Sequence, residues 1–137
     1  WFEIGNKYHL YALLDPGGGY RESEYLEDIE TLACSYPEIA LFMDHAGRSY
    51  EVAVTYGKIA KKYVNVYLQL TYTTVTWDVI KYFVEEVGVE KILFGTDSPM
   101  RDPRPQLGWL AHADISLSDK KAIFGGNMKK IMERCRV

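Results

Sequence analysis

Two short stretches carry residue types able to work on a metal ion or a proton: Asp44-His45-Ala46-Gly47-Arg48 and Gly95-Thr96-Asp97-Ser98-Pro99. An imidazole and a carboxylate are both good ligands for a divalent transition metal. The carboxylate can in addition take a proton from water activated by such an ion. Each residue also has an ordinary structural use. Asp97 before Ser98-Pro99 suits a turn, and His45 before the small pair Ala46-Gly47 suits a buried, hydrogen-bonded ring. Position lifts both above those uses, because each follows a short apolar run that reads as a strand. In parallel α/β proteins functional groups gather at the carboxyl ends of strands.

Neighbouring residues have weaker claims. Arg48 can grip a substrate carboxylate bidentately, although an exposed or capping arginine is the commoner role. Asp44, by strand alternation, is expected to point away from His45. Arg101 and Arg104 flank Asp102-Pro103 in a loop beyond Asp97, and a solvated loop is the default reading. His9 and His112 stand alone, the second at a helix end. Asn127 is expected to cap the last helix.

The elements that must position these residues follow a strand-then-helix rhythm. Apolar runs start at Ile39, Val64 and Lys91, that is 25 and 27 residues apart, which leaves room for one helix and two loops in each interval. Helices are expected over Glu22 to Ser35, Tyr50 to Lys62 and Gln106 to Ala113. Trp77, Ile80, Val84 and Val87 share one helical face, with Gly88 as the stop. Ser118 reads as an N-cap and Gly125-Gly126 as a break, with a last helix over about Asn127 to Arg134. Trp1 to Tyr20 shows no clear period, and Pro16-Gly17-Gly18-Gly19 reads as a loop.

Composition narrows the classes. The chain has 137 residues, a net charge of −3 and 47% hydrophobic residues, which suits one folded domain or part of one and excludes a disordered tail. No Lys/Arg stripe forms and the eleven tyrosines are scattered, so nucleic acid is not an expected partner. No apolar run approaches the roughly 20 residues of a membrane span. Cys34 and Cys135 are too few and too far apart for a disulfide framework, so a reducing, cytoplasmic setting is the default. The nearly all-apolar strands are expected to be buried on both faces. Three such strands leave two unpaired sheet edges, which makes self-association into a homo-oligomer a physical expectation. The first residue is Trp, not Met, which agrees with a piece of a longer protein.

Three segments together resemble the amidohydrolase superfamily, in its amidohydrolase 2 branch. Pro37-Glu38-Ile39 through His45-Ala46-Gly47 resembles the strand-six signature, and Ile92-Leu-Phe-Gly-Thr-Asp-Ser-Pro99 resembles the strand-eight signature. The tail Ile123-Phe-Gly-Gly-Asn127-Met-Lys-Lys-Ile131 resembles the closing segment. The resemblance spans roughly Tyr36 to Ile131.

It implies an α/β chain forming part of a (β/α)8 TIM barrel, roughly the last three βα units. It also implies a metal-dependent hydrolase, or decarboxylase (a carbon–carbon lyase), acting on small organic acids. Asp97 would be metal ligand and general base, and His45 a catalytic or ligand histidine. Arg48 would be a substrate contact, and the metal zinc, with manganese the other choice. The family's His-x-His is absent, and its strand-five histidine is expected to lie just before Trp1. The chain alone is therefore expected to be inactive. Two other readings stand beside this one: a truncated or degenerate relative without catalysis, and a TatD-like metal-dependent phosphodiesterase.

Overall fold

The computed structural model describes residues 1–17, 21–71 and 74–136. Four strands, β1 (Tyr11–Leu14), β2 (Ala40–Met43), β3 (Val66–Leu70) and β4 (Ile92–Phe94), form one sheet in the order β1-β2-β3-β4. All three pairings are parallel. The helices are α1 (Phe2–Tyr8), α2 (Glu22–Ser35), α3 (Tyr50–Lys62), α4 (Val79–Glu86), α5 (Arg104–Ala111), α6 (Leu117–Lys121) and α7 (Asn127–Arg134). The sheet thus carries one strand more than the three read from the apolar runs. It comes from the unperiodic N-terminal stretch, where β1 alternates exposed and half-buried residues. The result is a partial (β/α)8 barrel with its first strand edge open.

Helices α2, α3 and α4 cover one face of the sheet. Their inward residues Ile29, Tyr56, Ile80 and Phe83 meet Leu41, Met43, Val66, Leu68, Leu70 and Ile92 from the strands. Full burial of such a side chain contributes about 1.5–3 kcal/mol each. The other face is the inside of the barrel. There Phe42 stacks on Tyr11 at 5.3 Å and meets Tyr67 edge-on at 5.9 Å. Ile131 of α7 packs with Ala40, Phe42 and Leu93 on this same face.

Local chemistry explains the helix ends and corrects several expectations. α2 and α3 run over the expected residues. Ser49 caps α3, its hydroxyl accepting from Val52 N at 3.2 Å. The cap of α6 is Ser116, accepting from Asp119 N at 3.1 Å, two residues before the expected Ser118. Trp77 lies outside α4 and is 90% exposed, so the face that α4 buries is Val79, Ile80 and Phe83. Asn127 does not cap α7, because Gly126 before it is already helical at φ −58°, ψ −41°. Its Nδ2 instead donates to Val89 O at 2.7 Å and Ile92 O at 2.9 Å, latching α7 to the start of β4. Gly88 does stop α4, at φ 108°.

Candidate metal centre

Parallel pairing brings all four strand ends to one side of the sheet. Asp15 follows β1, Asp44 and His45 follow β2, Thr71 follows β3 and Asp97 follows β4 by three residues. Backbone bonds tie these ends laterally: Asp44 N donates to Leu14 O, Ala46 N to Gln69 O and Gly95 N to Leu70 O, each at 3.1 Å.

Asp15, Asp44 and His45 each offer a ligand atom, and these atoms lie within 4.8 Å of one another. His45 Nε2 is 3.8 Å from Asp15 Oδ1, and His45 Nδ1 is 3.3 Å from Asp44 Oδ1. Asp44 and His45 are buried, whereas the Asp15 side chain is 61% exposed. Thr71 Oγ1 donates to Asp44 Oδ1 and sits 2.6 Å from His45 Nδ1. Burial raises the Asp44 carboxyl above the ordinary aspartate value, while the Thr71 bond and His45 oppose that shift.

The expectation that Asp44 points away from His45 fails for a backbone reason. Alternation holds for extended chain, but His45 has φ 115°. The chain turns there and the two consecutive side chains converge. A non-glycine residue at positive φ costs on the order of 1–3 kcal/mol and persists only where its surroundings hold it. Asp97 is also at positive φ, 59°. The strand flanking the His45 strand is β1, inside the chain, and its carboxyl end carries Asp15. The position expected before Trp1 is therefore within the chain, and an aspartate follows the strand there.

Two glycines make room for this arrangement. A β-carbon on Gly47 would collide with the Trp109 ring. One on Gly95 would collide with Thr71 Cγ2 and stand 2.6 Å from Gln69 Nε2. Trp109 is itself fixed, its Nε1 donating to Thr76 O at 3.1 Å while Thr76 Oγ1 donates to Gly47 O at 2.7 Å.

The remaining candidates are placed as follows. Asp97 Oδ2 accepts from Arg101 Nε at 3.0 Å, and the Asp97 charge reaches Asp44. Arg48 closes the turn after His45 through its own N–H to His45 O at 3.0 Å, and its charge reaches the Tyr56 phenol in α3. His9 pairs with Glu38 Oε2 at 3.0 Å at the opposite, amino-terminal side of the strands. His112 is the exposed C-cap of α5 and lines a groove with Trp77 and Trp109 that shares no residue with the cluster. Residue type and spacing alone do not mark Asp15, Asp44 or Thr71 as ligands or as a ligand's support. Asp15 was hidden in a Pro-Gly loop, and a hydroxyl is not a metal-ligand type that draws attention.

The sequence model of the amidohydrolase family (Amidohydro_2) matches residues 20–131. The chain belongs to the amidohydrolase family. Solved structures agree with this placement in the fold. Amidohydrolase 2 from Bifidobacterium longum subsp. infantis is 17% identical with a TM-score of 0.70, over 96% of this chain and 53% of that one. A TIM-barrel protein from Bordetella bronchiseptica is 16% identical with a TM-score of 0.68, over 97% of this chain and 49% of that one. A dihydroxybenzoic acid decarboxylase from Polaromonas sp. JS666, with bound manganese and the inhibitor 2-nitroresorcinol, is 20% identical with a TM-score of 0.61, over 81% of this chain and 40% of that one. No curated protein matches the chain in sequence. This amidohydrolase chain spans about half the length, or less, of these three relatives. Among the described residues no helix is long and apolar enough to cross a membrane.

The donor set suits a divalent ion. Two carboxylates and one imidazole come together, and a small side-chain adjustment from atoms within 4.8 Å of one another would give ligand bonds of about 2.0–2.2 Å. Oxygen-rich donors with one imidazole accept zinc or manganese.

Proposed function

We propose that the chain is the metal-binding back part of a metal-dependent hydrolase or decarboxylase acting on small organic acids. The observation that carries this reading is the convergence of Asp15, Asp44 and His45 at adjacent strand ends, with Asp97 two strands away on the same side. His45 and the carboxylates of Asp15 and Asp44 would hold a zinc or manganese ion, with Asp97 on the facing strand end as a further ligand. Bound there, the ion would supply Lewis-acid polarisation of a substrate oxygen and a more acidic water.

The chain's own residues do the rest. Asp97 takes a proton at a carboxylate oxygen and returns it to the leaving group or to the substrate carbon. Arg101, bonded to Oδ2, holds that carboxylate in place. Arg48, beside the His45 turn, is the candidate grip for a substrate carboxylate. Two decarboxylases similar in structure are named for, or complexed with, dihydroxybenzoates, which makes small aromatic acids the first substrates to try. The two free cysteines, Cys34 and Cys135, suit a reducing, cytoplasmic setting.

Alone, the 137-residue chain is expected to be inactive, because three or four ligands on one sheet of an open barrel leave the substrate half-enclosed. The test compares turnover of small aromatic acids, with added zinc or manganese, by the intact polypeptide of the source cell and by its Asp97→Ala form. Loss of turnover in Asp97→Ala supports the reading, and a near-parental rate removes Asp97 from the mechanism. Turnover by the isolated chain with stoichiometric metal overturns its expected inactivity.

A further inference from the structure

Thr71 sits at the carboxyl end of β3, 3% exposed, between two members of the cluster. Its hydroxyl donates to Asp44 Oδ1, and its oxygen lies 2.6 Å from His45 Nδ1. A hydroxyl has one proton and two lone pairs. With the proton directed at Asp44, a contact of 2.6 Å needs its hydrogen on Nδ1. Asp44 Oδ1, 3.3 Å from the same nitrogen, is a second acceptor and favours the same placement. A neutral imidazole carries one N–H. The lone pair then belongs to Nε2, the nitrogen 3.8 Å from Asp15 Oδ1.

We infer that Thr71 is a positioning residue whose hydroxyl bridges Asp44 and His45, keeps the ring hydrogen on Nδ1 and presents Nε2 as the donor atom toward Asp15. The inference rests on the metal reading of the cluster. It supplies what that reading needs, a ring of fixed orientation with a lone pair on the Asp15 side. The surroundings leave Thr71 little choice. Gly95, whose N–H is bonded to Leu70 O, leaves the width in which the Thr71 methyl fits beside β4. On the other side Ala46 N is bonded to Gln69 O, which fixes the His45 turn against β3. The opposite arrangement, Asp44 protonated and donating to a Thr71 hydroxyl that donates to Nδ1, places the ring hydrogen on Nε2. The two therefore differ in one observable atom.

The experiment reads that atom in the ¹⁵N-labelled chain. Long-range ¹H–¹⁵N spectra taken where the ring is neutral, with the His45 signals identified by their loss in His45→Gln, are expected to show the Nδ1–H tautomer. An Nε2–H tautomer overturns the assignment. Manganese alone is then titrated and free Mn²⁺ followed by its paramagnetic resonance. Thr71→Val, which keeps the shape and loses the hydroxyl, is expected to weaken binding by about 10–100-fold. Thr71→Ser, which restores the hydroxyl, is expected to recover the parental affinity. Equal affinity in Thr71→Val and the parent overturns the positioning role. The Nδ1–H tautomer in a chain that binds no manganese supports the Thr71 bridge while the metal reading fails, so the two failures are distinguishable.

Discussion

A β-carbon on Gly95 would collide with Thr71 Cγ2 and crowd the Gln69 amide at 2.6 Å. The glycine of the Phe-Gly-Thr-Asp segment is thus a space, on one strand, for a side chain of the next. Gly95 supports the metal cluster through Thr71 without being able to touch an ion.

Gly95→Ala is therefore expected to move Thr71 off Asp44 and His45. Overpacking of this kind costs about 1–3 kcal/mol, read as a lower urea midpoint. Manganese affinity is expected to fall about tenfold or more, as for other losses of ligand support. Unchanged affinity would show that Thr71 has room to give.

The backbone at His45 separates stability from ligation. At φ 115° a glycine is unstrained where an alanine is not. His45→Gly is expected to be about 1 kcal/mol more stable than His45→Ala, while both lose metal binding alike. Equal unfolding midpoints for the two variants would argue against strain at this position.

Asn127 offers a test of the α7 latch. Its two bonds to Val89 O and Ile92 O are buried. Asn127→Ala removes both bonds of this buried amide at a cost of about 0.5–1.5 kcal/mol each, read by chemical denaturation. A neutral effect would mean that water replaces the amide.

Two buried tyrosines give the chain an alkaline limit. Burial raises the Tyr25 phenol well above its ordinary value of 10.0 and pushes Tyr56 up to about 12. Both folded values exceed the unfolded ones, so the stability they contribute is full below pH 10 and is lost as pH rises toward 12 and beyond. Urea midpoints are expected to fall over that window. Tyr56 Oη is buried without a hydrogen-bond partner among the described residues, so Tyr56→Phe is expected to be neutral or stabilising at pH 7 and to flatten the alkaline slope. A steep slope retained in Tyr56→Phe would leave Tyr25 as its source.

Much of the fold was legible because burial leaves a period. The helices over Glu22–Ser35 and Tyr50–Lys62 and the strand around Leu41 announce themselves through apolar residues that must be covered. β1 was not legible, because Tyr11-Ala12-Leu13-Leu14 shows no polar alternation and lies in a stretch without a period to set it apart. The site was half legible. His45 and Asp97 are visible by type and place, but Asp44 joins His45 only through a positive φ that no pattern of residue types encodes. Asp15 needed β1, and Thr71 needed the pairing of β3 between β2 and β4.

Arg136, which follows α7, meets the end of α1 on the side away from the cluster. Arg136 N donates to Tyr8 O at 2.9 Å, just before β1 begins. A purification tag, a fluorophore or a surface tether at Arg136 therefore leaves the strand ends facing open solution.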